Sequence, residues 1–131
     1  ETEVQALKGR ILLVEDHPIN QKLALAILQK QQLDVDLAEN GLEAIKMLNL
    51  KSYDLILMDC QMPVMDGFEA SARIRSGEAG EEARKTPSIA LTANAMKEDI
   101  DRCTAAGMND HIAKPFTLTT LQTALAHWLP A

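Results

Sequence analysis

The chain has 131 residues, enough for one domain with a real core and too few for two ordinary ones. Its hydrophobic content of 47% suits a compact fold, and with aromatics at only 3% the core has to be aliphatic. Thirteen basic against 19 acidic residues give a net charge of −6, a poor match for a nucleic-acid backbone, whose non-specific affinity comes from Lys and Arg.

Cys60 and Cys103 lie far apart in sequence and form no C-x-x-C pair, so two reduced thiols in a reducing compartment are expected. No Cys/His cluster has zinc-ligand spacing. No apolar run approaches the ~18 residues of a membrane span, and residues 1–8 lack the pattern of a signal peptide. A soluble, cytoplasmic domain is expected, with a membrane-bound parent left open.

Residues 1–9 read as a linker and 10–131 as the domain. Arg10 to Val14 is an apolar run closed by Glu15-Asp16, the signature of a strand buried on both faces. Pro18 suits the first turn of a helix that runs to about Gln32, with Ile19, Leu23 and Ile27 on one face. Asp34 to Ala38 alternates acidic and apolar residues, the pattern of a half-exposed edge strand. Asn40 with Glu43 forms a capping box for a second helix, whose buried face carries Leu42, Ile45 and Leu48.

The third strand, about Asp54 to Asp59, is the organising stretch: four apolar residues between acids, closed by Pro63 before a helix could develop. Asp66-Gly67 marks a turn, and a helix continues to about Arg75. Ser76 to Thr86, with two Gly and alternating charges, reads as a solvated loop. Ser88 to Thr92 is the fourth strand. A helix from about Ala95 to Ala106 has Met96, Ile100 and Cys103 at helical spacing and Gly107 as its C-terminal cap. His111 to Ala113 is a short fifth strand, and the last helix buries Leu118, Leu121, Leu125 and Trp128. Five alternations of strand and helix imply right-handed crossovers and a parallel sheet covered on both faces.

In such a sheet the strand C-termini share one edge, where ligands bind. That edge receives Glu15 and Asp16 from the first strand, Asp59 from the third, Thr92 from the fourth and Lys114 just past the fifth. Three acids in close quarters repel and raise one another's pKa unless a cation intervenes. A hard divalent ion with oxygen ligands, such as Mg2+, resolves this and would also neutralise a phosphoryl group. Asp59 is then the natural nucleophile, holding phosphorus as an acyl phosphate. Lys114 shares the charge on the transferring oxygens, and Thr92 can donate its hydroxyl to one of them.

Four segments occurring in this order carry a resemblance: Leu13 to Asp16, Met58 to Gly67, Leu91-Thr92-Ala93 and Lys114-Pro115-Phe116. Together they resemble receiver domains of the two-component response-regulator superfamily, over essentially all of residues 10–129. Asp59 to Gly67, Thr92 to Ala95 and Gly107 to Asp110 further resemble receivers fused to hybrid sensor histidine kinases.

The resemblance implies a (βα)5 flavodoxin-like fold with strand order 2-1-3-4-5. It implies that Asp59 is the phosphoacceptor, that Glu15 and Asp16 are the metal pair, and that the backbone carbonyl of Gln61 is a further Mg2+ ligand. Thr92 becomes the switch hydroxyl, Lys114 the phosphoryl contact, and the Lys114–Pro115 bond is cis. The implied partners are a histidine kinase or a histidine phosphotransfer domain, with no direct nucleic-acid or membrane contact and a monomeric state in isolation.

One departure is His111, three residues before the lysine, where many relatives carry a switching Tyr or Phe. That suits a relay intermediate, which need only accept phosphoryl groups and pass them on. Two rival readings are an aspartyl-nucleophile phosphohydrolase of the haloacid dehalogenase type and an unphosphorylated docking module. The first expects an Asp two residues after the nucleophile, where this chain has Gln61. The second is at odds with an intact set of Glu15, Asp16, Asp59, Thr92 and Lys114.

Overall fold

The computed structural model describes residues 9–30, 33–60, 62, 64–93, 96–114 and 117–128. The linker reading for residues 1–8, the Gln61 carbonyl, the Lys114–Pro115 bond and the helix start at Ala95 lie outside the described residues, as does the first helix's end at Gln32.

Five parallel strands, β1 (Arg10–Val14), β2 (Asp34–Ala38), β3 (Leu55–Asp59), β4 (Ser88–Thr92) and β5 (Asp110–Ala113), form one sheet in the order β2-β1-β3-β4-β5. Between them run α1 (Pro18–Lys30), α2 (Gly41–Leu50), α3 (Gly67–Arg75), the short α4 (Glu81–Lys85), α5 (Lys97–Ala105) and finally α6 (Leu118–Trp128). The expected flavodoxin-like layering and strand order are both present.

Side chains alternate across a strand, so β1 sends Ile11 and Leu13 to one face and Leu12 and Val14 to the other. The first pair joins Leu55, Leu57, Ile89 and Leu91 under α1 and α6; the second joins Ile56, Met58 and Ala90 under α2 to α5. Both faces of β1, β3 and β4 are therefore apolar, which is why their sequences read as continuous runs. At the edge, β2 is only half-buried; Asp36 there accepts from Tyr53 Oη at 2.6 Å and Lys51 Nζ at 3.2 Å. Asn40 caps α2 through Glu43 N–H at 2.9 Å, while Glu43 reaches back to Glu39 N–H at 2.9 Å.

Five sequence-based expectations need correction. On α1 the buried residues are Ala24, Ile27 and Leu28, and Ile19 is 70% exposed with Leu23 also exposed. A row spaced by four turns about 40° round the helix at each step, so Ile19 and Leu23 drift off the face that Ile27 shares with Ala24 and Leu28. Leu42 at the start of α2 is exposed because a row spaced by three turns about 60° the other way at each step, and Ala44 takes its place beside Ile45 and Leu48. Met96 precedes α5 and is exposed, while α6 buries Ala124 between Leu121 and Leu125 and leaves Leu118 at its exposed first turn.

The stretch Ser76 to Thr86 is not a solvated loop. Gly77 (φ +100°) closes α3 with its N–H on Ile74 O, and Glu78 N–H reaches Arg73 O. The chain then makes the single turn of α4, with Ala79 and Ala83 buried in the core. Its four charges occupy the outer side of that turn, which hides a helix whose only inward residue is alanine.

Arg75 ties the far end of this face together. Its guanidinium donates to Gly107 O (2.7 Å), Arg84 O and Thr86 O (2.8 Å each) and Asn109 Oδ1 (2.7 Å). Asn109 in turn accepts from Ser88 N–H at 2.9 Å, so one fork holds the ends of α4 and α5 to β4. Arg75→Ala is expected to cost about 3 kcal/mol, since several partly buried carbonyls lose a charged donor at once. Arg75→Lys should recover only part of that, lacking the planar fork. Urea unfolding of the three proteins checks both.

Candidate functional site

The chemistry gathers where the strands end. Asp59 closes β3 and is 4% exposed; Glu15 follows β1 and is 1% exposed, its N–H held by Ala38 O at 3.0 Å. Two buried carboxylates on neighbouring strands are costly without compensation. Lys114 supplies part of it: its Nζ stands 2.9 Å from Asp59 Oδ1 and 3.3 Å from Glu15 Oε1. The lysine is placed by its own backbone, whose N–H donates to Thr92 O at 2.7 Å as the chain leaves β5. Glu15 Oε2 accepts from His17 N–H at 3.1 Å, and Glu15 O accepts from Gln21 Nε2 at 2.7 Å.

The charges shift one another. Burial pushes the Asp59 carboxyl above its ordinary value, and Glu15 adds to that while Lys114 opposes it. Burial alone would pull the Lys114 ammonium down, but its hydrogen bond to Asp59 and the two carboxylate charges leave it above the ordinary lysine value.

Glu15, Asp16 and Asp59 each offer a carboxylate oxygen, and the three oxygens lie within 4.8 Å of one another. Glu15 Oε1 is buried and, despite the nearby ammonium, accepts no well-formed hydrogen bond. A hard cation with oxygen ligands fits both facts. The acids, Lys114, Asn20 and Ala93 line a cleft of about 240 Å³. A larger concavity of about 460 Å³ between β5 and α6 has mostly apolar walls and gathers no comparable cluster of acids. The smaller cleft, not the roomier one, has the means to bind a charged ligand.

Of the residues expected here, the structure brings Glu15, Asp16, Asp59 and Lys114 together. Thr92 ends β4 on the same rim and is 5% exposed, but the cleft wall beside it is Ala93. His111 is half-buried on β5, paired with Ala90. Asn20 was not singled out in the sequence; a polar residue in the first turn after Glu15-Asp16 was the available signal.

Cys60, directly after β3, also lines the cleft. Asp66 caps α3 through Glu69 N–H at 2.8 Å, and Gly67 N–H donates to Cys60 O at 3.1 Å. A Cβ on Gly67 would overlap the Asp59 carbonyl oxygen, so α3 starts directly against the end of β3.

The protein-family profile described as the response regulator receiver domain matches residues 11–126. Histidine kinase 5 of Arabidopsis thaliana is 40% identical over 98% of the chain, which spans 17% of that protein's length. Among solved structures, the receiver domain of the Pseudomonas aeruginosa sensor histidine kinase PA1611, with a magnesium ion coordinated in its active site cleft, is 45% identical. It superposes with a TM-score of 0.85 over 92% of this chain and 97% of that one. The receiver domain of Saccharomyces cerevisiae Ssk1, crystallised with the histidine phosphotransfer protein Ypd1, is 32% identical with a TM-score of 0.85, covering 93% of this chain and 89% of the other.

Proposed function

This chain belongs to the response regulator receiver domain family, and we propose that Asp59 is the residue it uses to accept a phosphoryl group from a phosphohistidine. The observation that carries the reading is the position of Asp59: a buried carboxylate at the end of the central strand, with carboxylate oxygens of Glu15 and Asp16 within 4.8 Å and the Lys114 ammonium at 2.9 Å.

An oxygen of Asp59 forms the new bond to phosphorus as the bond from phosphorus to the donor imidazole breaks, and the imidazole leaves with its electron pair. Lys114 stays beside the transferred group and balances its oxygens. Thr92, at the end of the adjacent strand, is the hydroxyl proposed to turn toward the phosphoryl group, moving the start of the β4–α5 connection with it. Glu15, Asp16 and Asp59 would hold a magnesium ion, with the Gln61 carbonyl as the further ligand that the resemblance implies. When bound, the ion supplies positive charge against the phosphoryl oxygens.

The proposed donor is a histidine kinase or a histidine phosphotransfer domain, a partner class seen with the Ssk1 receiver. A cytoplasmic setting in or beside a histidine kinase fits the relatives, and among the described residues no helix is long and apolar enough to cross a membrane. The direct test is a time course of phosphotransfer from phosphorylated histidine kinases and phosphotransfer domains, with and without Mg2+. Acid-labile, base-labile label on this chain is expected in the presence of Mg2+ only; its absence with every donor and with acetyl phosphate would remove the reading.

Proton and metal compete for Asp59. Because its folded pKa is raised, the acid limb of Mg2+ binding should lie above the ordinary aspartate value of 3.8. Calorimetric Mg2+ titrations over a pH range that extends below 3.8 check this; an acid limb at or below that value contradicts the burial effect.

A further inference from the structure

The two cysteines stand 43 positions apart, so nothing in their spacing pairs them, yet their sulfurs lie 3.8 Å from each other inside the protein. Both side chains are buried. Both are free thiols, as expected, and the fold adds that they stand in contact. Cys60 directly follows Asp59 and is pinned by its backbone, its N–H on Leu91 O and its carbonyl receiving Gly67 N–H, each at 3.1 Å.

Cys103 belongs to α5 and is the only residue of that helix that is fully buried. Just past it, Gly107 (φ +96°) and Met108 close the helix on Thr104 O and Cys103 O. A helix with one fully buried small side chain, Arg102 laid over the Phe68 ring at 4.0 Å and the rest of its length largely polar and exposed, sits toward the low-stability end of local opening. The buried side chain is the one facing the other thiol. A filler role would be served by any small apolar residue at either position and needs no second sulfur in contact.

We propose that Cys60 and Cys103 are an oxidisable dithiol, which a low-molecular-weight disulfide converts into an intramolecular disulfide that fastens α5 to the backbone behind Asp59. When α5 lifts, the Cys103 thiolate attacks one sulfur of the small disulfide, forming a mixed disulfide and releasing one small thiol. Cys60, having given up its proton, then attacks the Cys103 sulfur and expels the second small thiol. The protein loses two hydrogens and two electrons; the small disulfide gains both as two thiols. The consequence for labelling rests on Asp59 being the phosphoacceptor: with α5 fastened, the β4–α5 connection no longer shifts toward a phosphoryl group. The rate of Asp59 phosphorylation should then fall on the order of tenfold.

The full chain is reduced, equilibrated with oxidised glutathione and followed by intact mass, thiol titration and thermal unfolding, then labelled with acetyl phosphate and Mg2+. Expected are a loss of two hydrogens, disappearance of both titratable thiols, a monomeric product, a thermal midpoint raised on the order of 10 °C, and full reversal by dithiothreitol. Cys103→Ala and Cys103→Ser should label like the reduced parent, never lose two hydrogens, and lose the response of labelling to oxidation. Having two variants covers the chance that one alanine or serine is poorly tolerated in the core.

The proposal is overturned if both thiols survive, if glutathione adducts or linked dimers accumulate instead, or if the disulfide forms and labelling is unchanged. A disulfide that forms in a chain whose reduced state takes no label would sink the phosphoacceptor reading and leave the dithiol standing.

Discussion

Asp59→Asn is expected to take no acid-labile phosphate from any donor, at least about 100-fold below the parent, while folding to the same structure. An amide of nearly the same volume keeps the packing at the end of β3 but offers no nucleophilic oxygen for phosphorus. The variant should also be the more stable protein in the absence of divalent cations. Burial raises the folded pKa of Asp59, so its stabilising share is present below the unfolded value and is lost as pH rises through the folded one. At neutral pH the ionised group is therefore a net cost, and the neutral amide removes it. A Tm above the parent's is therefore expected, against the loss of the 2.9 Å contact to Lys114. Full labelling of Asp59→Asn would assign the chemistry to another residue; a docking-only module would show no labelling in the parent either.

Gly67→Ala should damage both fold and site. The new Cβ would overlap the carbonyl oxygen of Asp59 and stand 3.0 Å from Cys60 Cα, both backbone atoms that cannot rotate aside. Either α3 retreats, breaking the Gly67 N–H to Cys60 O hydrogen bond, or the end of β3 shifts and carries Asp59 away from Lys114. A loss of about 3 kcal/mol is expected, with phosphorylation slowed tenfold or more by misplacement of the nucleophile. Gly77→Ala is the natural control. It has open space around the new Cβ and only its φ of +100° against it, so it should cost about 1 kcal/mol and leave labelling intact. Equal melting temperatures for Gly67→Ala and the parent would contradict the close-approach argument.

Much of the site was legible because strand ends are legible. Runs such as Leu55 to Met58 can only be buried strands at that length, and parallel connectivity then puts whatever follows them on one rim. Glu15, Asp59 and Lys114 met there as expected. The Asp-x-Asp alternation of Asp34 to Leu37 likewise marked an edge that the sheet order bears out.

Contacts between distant segments were not legible. Nothing local to Arg75 distinguishes it from a cation favoured in the last turn of a helix, although three backbone carbonyls and two side-chain oxygens accept from it. The turn of α4 was masked by its charges, and the stripe of α1 was misplaced because spacing by four was followed where the sheet selects spacing by three and four. Sequence separation, not chemistry, kept Cys60 and Cys103 from being paired.

Carboxylates on the outermost strand have a further effect on how such a unit behaves in company. Among the described residues the outer side of β2 pairs with no other strand and presents backbone groups that another chain could zip onto; Asp34 places negative charge along it, and Asp36 adds a carboxylate shared with Lys51. A neighbouring copy offering the same rim brings the same sign of charge, so adding a sixth strand is opposed before any hydrogen bond forms. Units of this kind can be crowded together, or strung along one polypeptide, without their sheets fusing.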